Sequence, residues 1–340
     1  MLKIIGSALG QTVRGLLGLV ILLVGAFCSG VLYYSNLPWP WMRTALAAAF
    51  GLWTLAAFGS LGGRVRPLLW YAAGLALVLT WWNLIPAEYA GEYPDEVAVL
   101  NTADFDGDFV TVHGIRNFDY RTPSDYDVRR YDKTFDLRKV KTVDFIVSHW
   151  DEMQAVAHTF LTFVFDDGKG GEDYLCCSVE IRRRKDQEYS TLKGIFRQYT
   201  LIYVWGDERD LIRLRTNFRG EDVYLYPTIS DPAGARRLLD SMLRRTNELA
   251  RKPRFYNTIG QNCTTTIVDH VNEVVPGAIP YSKAVLMNGF SDKYAYDLGW
   301  IKTNKGFMET RAECLINASA RAAGNAPDFS TRIRKHILPR

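Results

Sequence analysis

Three uncharged stretches near the N-terminus constrain this chain more than any other feature. No Asp, Glu, Lys or Arg interrupts residues 15–42, 44–63 or 67–87. Each run reaches the about 20 residues that a helix needs to cross the hydrocarbon core of a bilayer. Backbone amides cannot stay unpaired in lipid, so such runs must be helical. Three transmembrane helices are expected, near residues 14–34, 42–62 and 66–85. Trp39 and Trp41 follow the first and Trp81 and Trp82 close the third, where aromatic side chains favour the membrane boundary. A cleaved leader accounts less well for the first run, which is long and lacks a following A-x-A site; Phe27 also stands where a lipidated Cys28 would need a small neighbour.

Flanking charge sets the expected orientation. Lys3 and Arg14 precede the first helix, Arg64 and Arg66 lie between the second and third, and Glu88, Glu92, Asp95 and Glu96 follow the third. The positive-inside rule places the N-terminus and the Arg64–Arg66 turn in the cytoplasm. Arg43, at the outer end of the second helix, can snorkel to the headgroups. The expectation is a multi-pass protein of a bacterial inner membrane, with residues 1–87 as the membrane region and 88–340 as a periplasmic domain large enough for its own core. A formal net charge of +4 is too small to imply nucleic acid. No zinc-type cysteine spacing appears, and neither a metal nor a cofactor is expected.

Beyond Glu88, short strands are expected at 98–100, 108–112, 140–147, 158–165, 174–182, 199–205, 211–216 and 222–226. A short helix is expected over 150–157, and a longer one over 232–250 with Asp231 as its cap. Asp104, Asp106 and Asp108 around Gly107 resemble a calcium loop only loosely, since no glutamate closes it, and a polar turn is the better reading. Strands in the middle with helices on both flanks argue an α+β fold.

The chemistry concentrates in Arg254–Val275, RFYNTIGQNCTTTIVDHVNEVV. Asn262 is a favoured N-cap residue, and Ile267, Val268, Val271, Val274 and Val275 recur at helical spacing. Cys263 therefore falls in the first turn, where unpaired amides and the helix dipole favour the thiolate. A thiol nucleophile needs a base. His158 opens the strand-like HTFLTFVF, and Asp166-Asp167-Gly168 turns the chain into YLCCSVEIR. Period 2 puts Leu175, Cys177, Val179 and Ile181 on one face, and Tyr174, Cys176, Ser178, Glu180 and Arg182 on the other. In a hairpin, Glu180 or alternatively Ser178 can orient the His158 ring. His270 lies seven residues after Cys263 on the same helix, about 10 Å of rise, too far to bond the thiol. Asn262 is a candidate oxyanion donor, Tyr256 and Asn257 are candidate cleft walls, and Arg182 and Arg209 are candidate anion holders.

Taken in order, AHTFLTF, YLCCSVEIRRRKDQEYS, LIYVWGDERDLIRLRT, EDVYLYP and PRFYNTIGQNCTTTIVDH resemble the Lnb N-terminal periplasmic domain family, and the resemblance extends over about 97–335. That family includes the bacterial lipoprotein intramolecular transacylase and is similar to papain-like thiol enzymes in permuted order, the histidine strand preceding the cysteine helix. The resemblance implies a central antiparallel sheet with flanking helices, Cys263 as nucleophile and His158 as base. With three membrane helices as anchor, a thiol acyltransferase acting on a membrane lipid or lipoprotein ester is expected; a cell-wall peptidase or amidase and a non-catalytic binding module are the alternatives. Cys176-Cys177 departs from the small or apolar residues usual there. In an oxidising compartment, a Cys177–Cys314 bridge is one pairing these cysteines allow.

Overall fold

A computed structural model describes residues 2–62, 65–150 and 154–337. The chain divides into two compact units, one comprising residues up to Glu88 together with Ser190–Gln198, the other comprising Tyr89–Tyr189 and the chain from Tyr199 onward.

In the first unit, helices Leu2–Tyr33, Pro40–Gly59 and Val65–Leu84 are long and apolar enough to cross a membrane. Leu16, Leu52, Trp70 and Leu77 face outward, as side chains in lipid would. Of the turn expected to hold Arg64, Gly63 and Arg64 lie outside the described residues. Ser190–Gln198, read from sequence as part of the downstream domain, packs on the helices. The Phe196 ring stacks on Phe27 and Tyr34, with centroids at 5.6 and 5.1 Å. Its tip occupies the space that a Cβ on Gly30 would need, 2.3 Å from Cζ. Arg197 adopts a left-handed backbone, φ 57°, and its guanidinium lies over the Trp82 ring and donates to the Trp82 carbonyl.

The second unit is mixed α/β around a mostly antiparallel sheet. Its strands are β1 (Thr102–Asp106), β2 (Phe109–Arg116), β3 (Asp119–Tyr120), β4 (Tyr126–Asp127), β5 (Arg130–Asp136), β6 (Val140–His149), β7 (His158–Asp166), β8 (Glu172–Arg182), β9 (Thr200–Gly206) and β10 (Asp222–Pro227). The main sheet runs β1-β2-β9-β8-β7-β6-β10, with β5 also paired to β2. Among the described residues only the β2–β9 contact, Arg116 opposite Gly206, is parallel. The small β3–β4 ribbon stands apart.

Strand parity sorts the core into two layers. Leu161, Phe163, Leu175, Cys177, Val179, Tyr203 and Trp205 pack with Leu239, Met242 and Leu243 of helix Pro232–Arg251 and with Ile267. Phe160, Cys176, Ile202 and Val204 point the other way, onto Leu211, Ile212, Ile316, Phe329 and Ile333. With both faces covered, β9 is buried along its whole length and β7 along all but its last residue.

Several expectations need correction. The strand expected at 98–100 does not form: Asp95–Ala98 make one helical turn, for which Pro94 and the acidic Asp95 and Glu96 suit the N-terminus, and the first strand begins at Thr102. Residues 211–216 are helical: Glu208–Arg213 continues into a π-helical turn, Leu214–Arg219. The run LIRLRT satisfies a helical stripe as well as an alternation, since Leu211 and Leu214 are three apart, and the Asp207 carbonyl starts the helix by accepting from Asp210 and Leu211. Of the helix expected over 150–157, Asp151–Met153 lie outside the described residues, and Gln154-Ala155 make a turn. All five cysteines are free thiols; Cys177 and Cys314 sit in separate clusters, so the bridge is absent.

Candidate active site

Helix Cys263–Val274 begins where its sequence says it should. Asn262 Oδ1 accepts from the Thr265 N–H at 2.9 Å, and the Asn262 N–H donates to Thr265 Oγ1 at 2.8 Å, a reciprocal capping box. This places Cys263 at the first helical position, only 5% exposed. The Asn262 amide also donates to the Thr258 carbonyl at 2.9 Å. Its side chain is thus committed within its own turn, at both ends, and does not aim at the thiol.

The β7–β8 hairpin carries the candidate base. Phe160 pairs with Ser178, so two residues toward the strand start His158 lies across from Glu180, on the same face. His158 Nε2 is 2.6 Å from Ser178 Oγ and 3.2 Å from Glu180 Oε1, while Ser178 Oγ donates to Glu180 Oε1 at 2.7 Å. The hydroxyl therefore accepts from Nε2–H and passes its own proton side to the carboxylate. Both candidate orienters act together, and Nδ1 is the nitrogen left for the thiol. Beyond Glu180 the network continues through buried Arg215, which donates to Glu180 at 3.2 Å and to Glu221 at 3.1 Å; Glu221 also accepts from Ser148 at 2.6 Å.

These contacts decide protonation. Burial alone would push the Cys263 thiol up, but the charge of His158, its hydrogen bond and those from the Thr159 N–H and hydroxyl outweigh burial and bring it from 9.0 to about 6. Burial likewise disfavours the imidazolium of His158; the Glu180 carboxylate overcomes this, against opposition from Arg215, and raises the ring from 6.5 to about 9. Glu180 is held well below the usual carboxylate range although burial opposes it, chiefly by the His158 charge. The two opposite shifts favour a thiolate–imidazolium pair near neutral pH.

A residue that sequence reasoning missed completes the cluster. Asn288 Nδ2 donates to Cys263 Sγ at 3.6 Å, and its Oδ1 accepts from the Ala157 N–H at 2.9 Å, next to His158. The following Gly289 donates to the Ala155 carbonyl at 3.1 Å, and a Cβ there would sit 1.9 Å from the Gln154 carbonyl oxygen. Only glycine permits that approach. Asn-Gly marks a turn in any sequence, but nothing local says which side chain the turn will face.

The other expected residues scatter. Tyr256 is buried beside Cys263, and burial followed by the nearby thiolate raises its phenol. Asn257 shapes the preceding turn, accepting from the Ile259 and Gly260 amides. Arg182 lies between the Tyr89 and Tyr93 rings and donates to the Val97 and Ala98 carbonyls, a clamp on the domain's first segment. Arg209 donates to Asn117. His270 is held between Tyr203 at 2.6 Å and Ser241 at 2.7 Å. Of the expected acidic turn, Asp104 and Asp106 lie instead in β1, Asp104 pairing with His113, and Asp108 pairs with Arg236.

Residues 127–288 match the family model described as the Lnb N-terminal periplasmic domain. That stretch is narrower than the expected 97–335, yet it contains His158, Ser178, Glu180, Arg215, Cys263 and Asn288. No curated protein and no solved structure matches the chain.

Proposed function

We propose that this chain, whose residues 127–288 carry the extracytoplasmic Lnb N-terminal periplasmic domain, is a membrane-anchored thiol acyltransferase acting on the ester of a lipid or lipoprotein. The observation that carries the reading is the coupling of a first-turn cysteine to a buried histidine whose far nitrogen is bound by Ser178 and Glu180.

In the first half-reaction the Cys263 thiolate attacks the ester carbonyl, a C–S bond forms, and the carbonyl electrons move onto oxygen. The Asn288 amide and the Cys263 N–H, which as a first-turn amide has no intrahelical acceptor, are the donors for that oxyanion. Collapse breaks the C–O bond, and the leaving alcohol takes the proton from His158. In the second half-reaction an amine, or water, gives its proton to His158 as it attacks the thioester, and the thiolate is released. Glu180, through Ser178, keeps the ring in the tautomer that presents Nδ1 to sulfur and stabilises the imidazolium.

Three membrane-length helices are more than a tether requires, and an enzyme that acts on membrane-borne acyl esters gains from such an anchor. The inner bacterial membrane with a cytoplasmic N-terminus is the corresponding location. The test is intact-protein mass spectrometry after incubation with lipoprotein-containing membranes. An acyl adduct on Cys263, released by hydroxylamine and missing in Cys263→Ala, is expected. Altered cell-wall peptides with unchanged lipoprotein acylation in cells lacking the chain would overturn the transferase in favour of a peptide hydrolase.

A further inference from the structure

The ring of His158 stands between two polar neighbours on one face of the sheet. Ser148 is its partner on β6, Glu180 lies across from it on β8, and cross-strand partners share a face. One guanidinium reaches both flanks. Arg215 donates through Nη2 to Glu180 Oε1 at 3.2 Å and through Nη1 to Glu221 Oε2 at 3.1 Å, and Glu221 Oε2 accepts from Ser148 Oγ at 2.6 Å. The guanidinium carbon lies 5.4 Å from the centre of the Phe160 ring, which in turn stacks on His158 at 5.5 Å. Backbone geometry builds this strap. Leu214–Arg219 is a π-helical turn closed by Gly220 at φ 69°, and the Glu221 N–H donates to the Arg215 carbonyl at 3.0 Å, so one turn sets both Arg215 and its carboxylate partner. Of the three charged side chains in the strap, Glu180 is the most open to water: its side chain is 27% exposed, against 10% for Arg215 and 5% for Glu221. Water competes for such a carboxylate, so a fixed donor is what keeps it beside the ring.

We propose that Arg215 is a positioning residue of this site: by spanning Glu180 and Glu221 it holds the Glu180 carboxylate against His158. The proposal rests on the reading of His158 as base and adds a residue that acts on the ring through Glu180. Shape is what the role requires. A planar guanidinium presents separate N–H groups to the two carboxylates, whereas an ammonium is a single point charge that cannot span them in this geometry. The field of Arg215 works the other way. Its positive charge opposes the imidazolium of His158, which Glu180 and Cys263 favour, while Arg116 on β2 faces Arg215 itself and Arg219 faces Glu221. Position and charge therefore predict different outcomes when Arg215 is replaced.

The test is an NMR titration of the full-length protein in detergent, with its five histidines isotopically labelled and the His158 signal assigned by its loss in His158→Ala. The unaltered protein should titrate His158 near 9. Arg215→Lys keeps a cation between the two carboxylates, and Arg215→Gln keeps a planar donor without the charge. Both should lower the His158 midpoint by about one pH unit or more, so that at pH 8 the protonated fraction falls from about nine-tenths to about half or less. A field effect alone would leave the midpoint in place in the lysine variant and raise it in the glutamine variant, and either result overturns the proposal. In a Glu180→Gln background Arg215→Lys should add no further shift; an added shift would show that Arg215 does not act through Glu180, and would overturn it equally. Ser148→Ala, a neutral change at the far end of the strap, should move the midpoint the same way by a smaller amount. That variant decides the matter if neither Arg215 variant folds, an unmoved midpoint counting against the proposal. The readout needs no substrate, so the enzymatic reading fails separately: the shifts would persist while no acyl adduct ever forms on Cys263 in membranes.

Discussion

Replacing His158 with alanine gives the sharpest test of the site, and its magnitude can be worked through. With the thiol at about 6, about nine-tenths of Cys263 is thiolate at pH 7; with the ordinary value of 9.0 restored, about one-hundredth is. The thiolate population therefore falls about 90-fold. A more basic thiolate is also a better nucleophile, and a Brønsted slope of about 0.4–0.5 over three pH units recovers roughly 15- to 30-fold. At pH 7 the two effects leave a net loss of only about 3- to 6-fold, a weak signal. At pH 6 the loss is about 15- to 30-fold, and above about pH 8 the variant becomes the faster of the two. The decisive measurement is the pH profile of reaction with dithiodipyridine, followed by absorbance and assigned to Cys263 by mass. Burial pushes Cys176 and Cys177 up and Cys314 up to about 12, so these thiols stay silent over the range. The unaltered protein should show a midpoint near 6 and His158→Ala one at or above 9. An unchanged midpoint in the variant would assign the activation to the helix terminus and Thr159, and refute the role given to the ring.

Three further outcomes follow from the geometry. Asn288→Ala should lower turnover of an activated ester by about 10²- to 10³-fold, the loss typical of one oxyanion donor, while leaving the thiol profile in place; a displaced profile would make Asn288 a support for the thiolate instead. Glu180→Gln removes the charge that raises His158, so the imidazolium is lost at lower pH and the alkaline limb of the activity profile should move below about 9; an unmoved limb would contradict the Glu180–His158 coupling. The sign is set by direction: the Cys263 contribution to folding is lost as pH falls through about 6, the His158 contribution is lost as pH rises through about 9, and the pair is intact between. Arg334→Ala should destabilise the second unit by about 3–5 kcal/mol, because Arg334 is the partner, at 2.8 and 2.5 Å, of two fully buried carboxylates, Asp144 and Glu208. Thermal unfolding measures this, and an unchanged midpoint would show that the carboxylates find other partners.

What could be read from the sequence was what local rules determine. The N-cap at Asn262, the apolar stripe of the following helix and the β7–β8 hairpin depend on spacing within a dozen or two dozen residues. The membrane helices are legible for the same reason. Asn288 was not legible, because its role depends on how a turn meets the Gln154–Ala157 segment more than a hundred residues earlier. Arg215 was missed because its segment, misread as extended, is helical, which turns the guanidinium into the interior. Arg182 looked like an anion holder by charge alone, and only the fold reveals the two tyrosines that enclose it.

The grouping of Ser190–Gln198 with the helices has a practical consequence for anyone preparing this protein. A fragment starting at Tyr89 would keep those nine residues but discard Phe27, Gly30, Tyr34 and Trp82, against which they are seated. Phe196 would be stripped of its aromatic partners and Arg197 of the contacts that hold its left-handed backbone. Trimming at the apparent linker thus yields a sticky, locally unravelled product, and purification should retain the helices in a micelle or nanodisc.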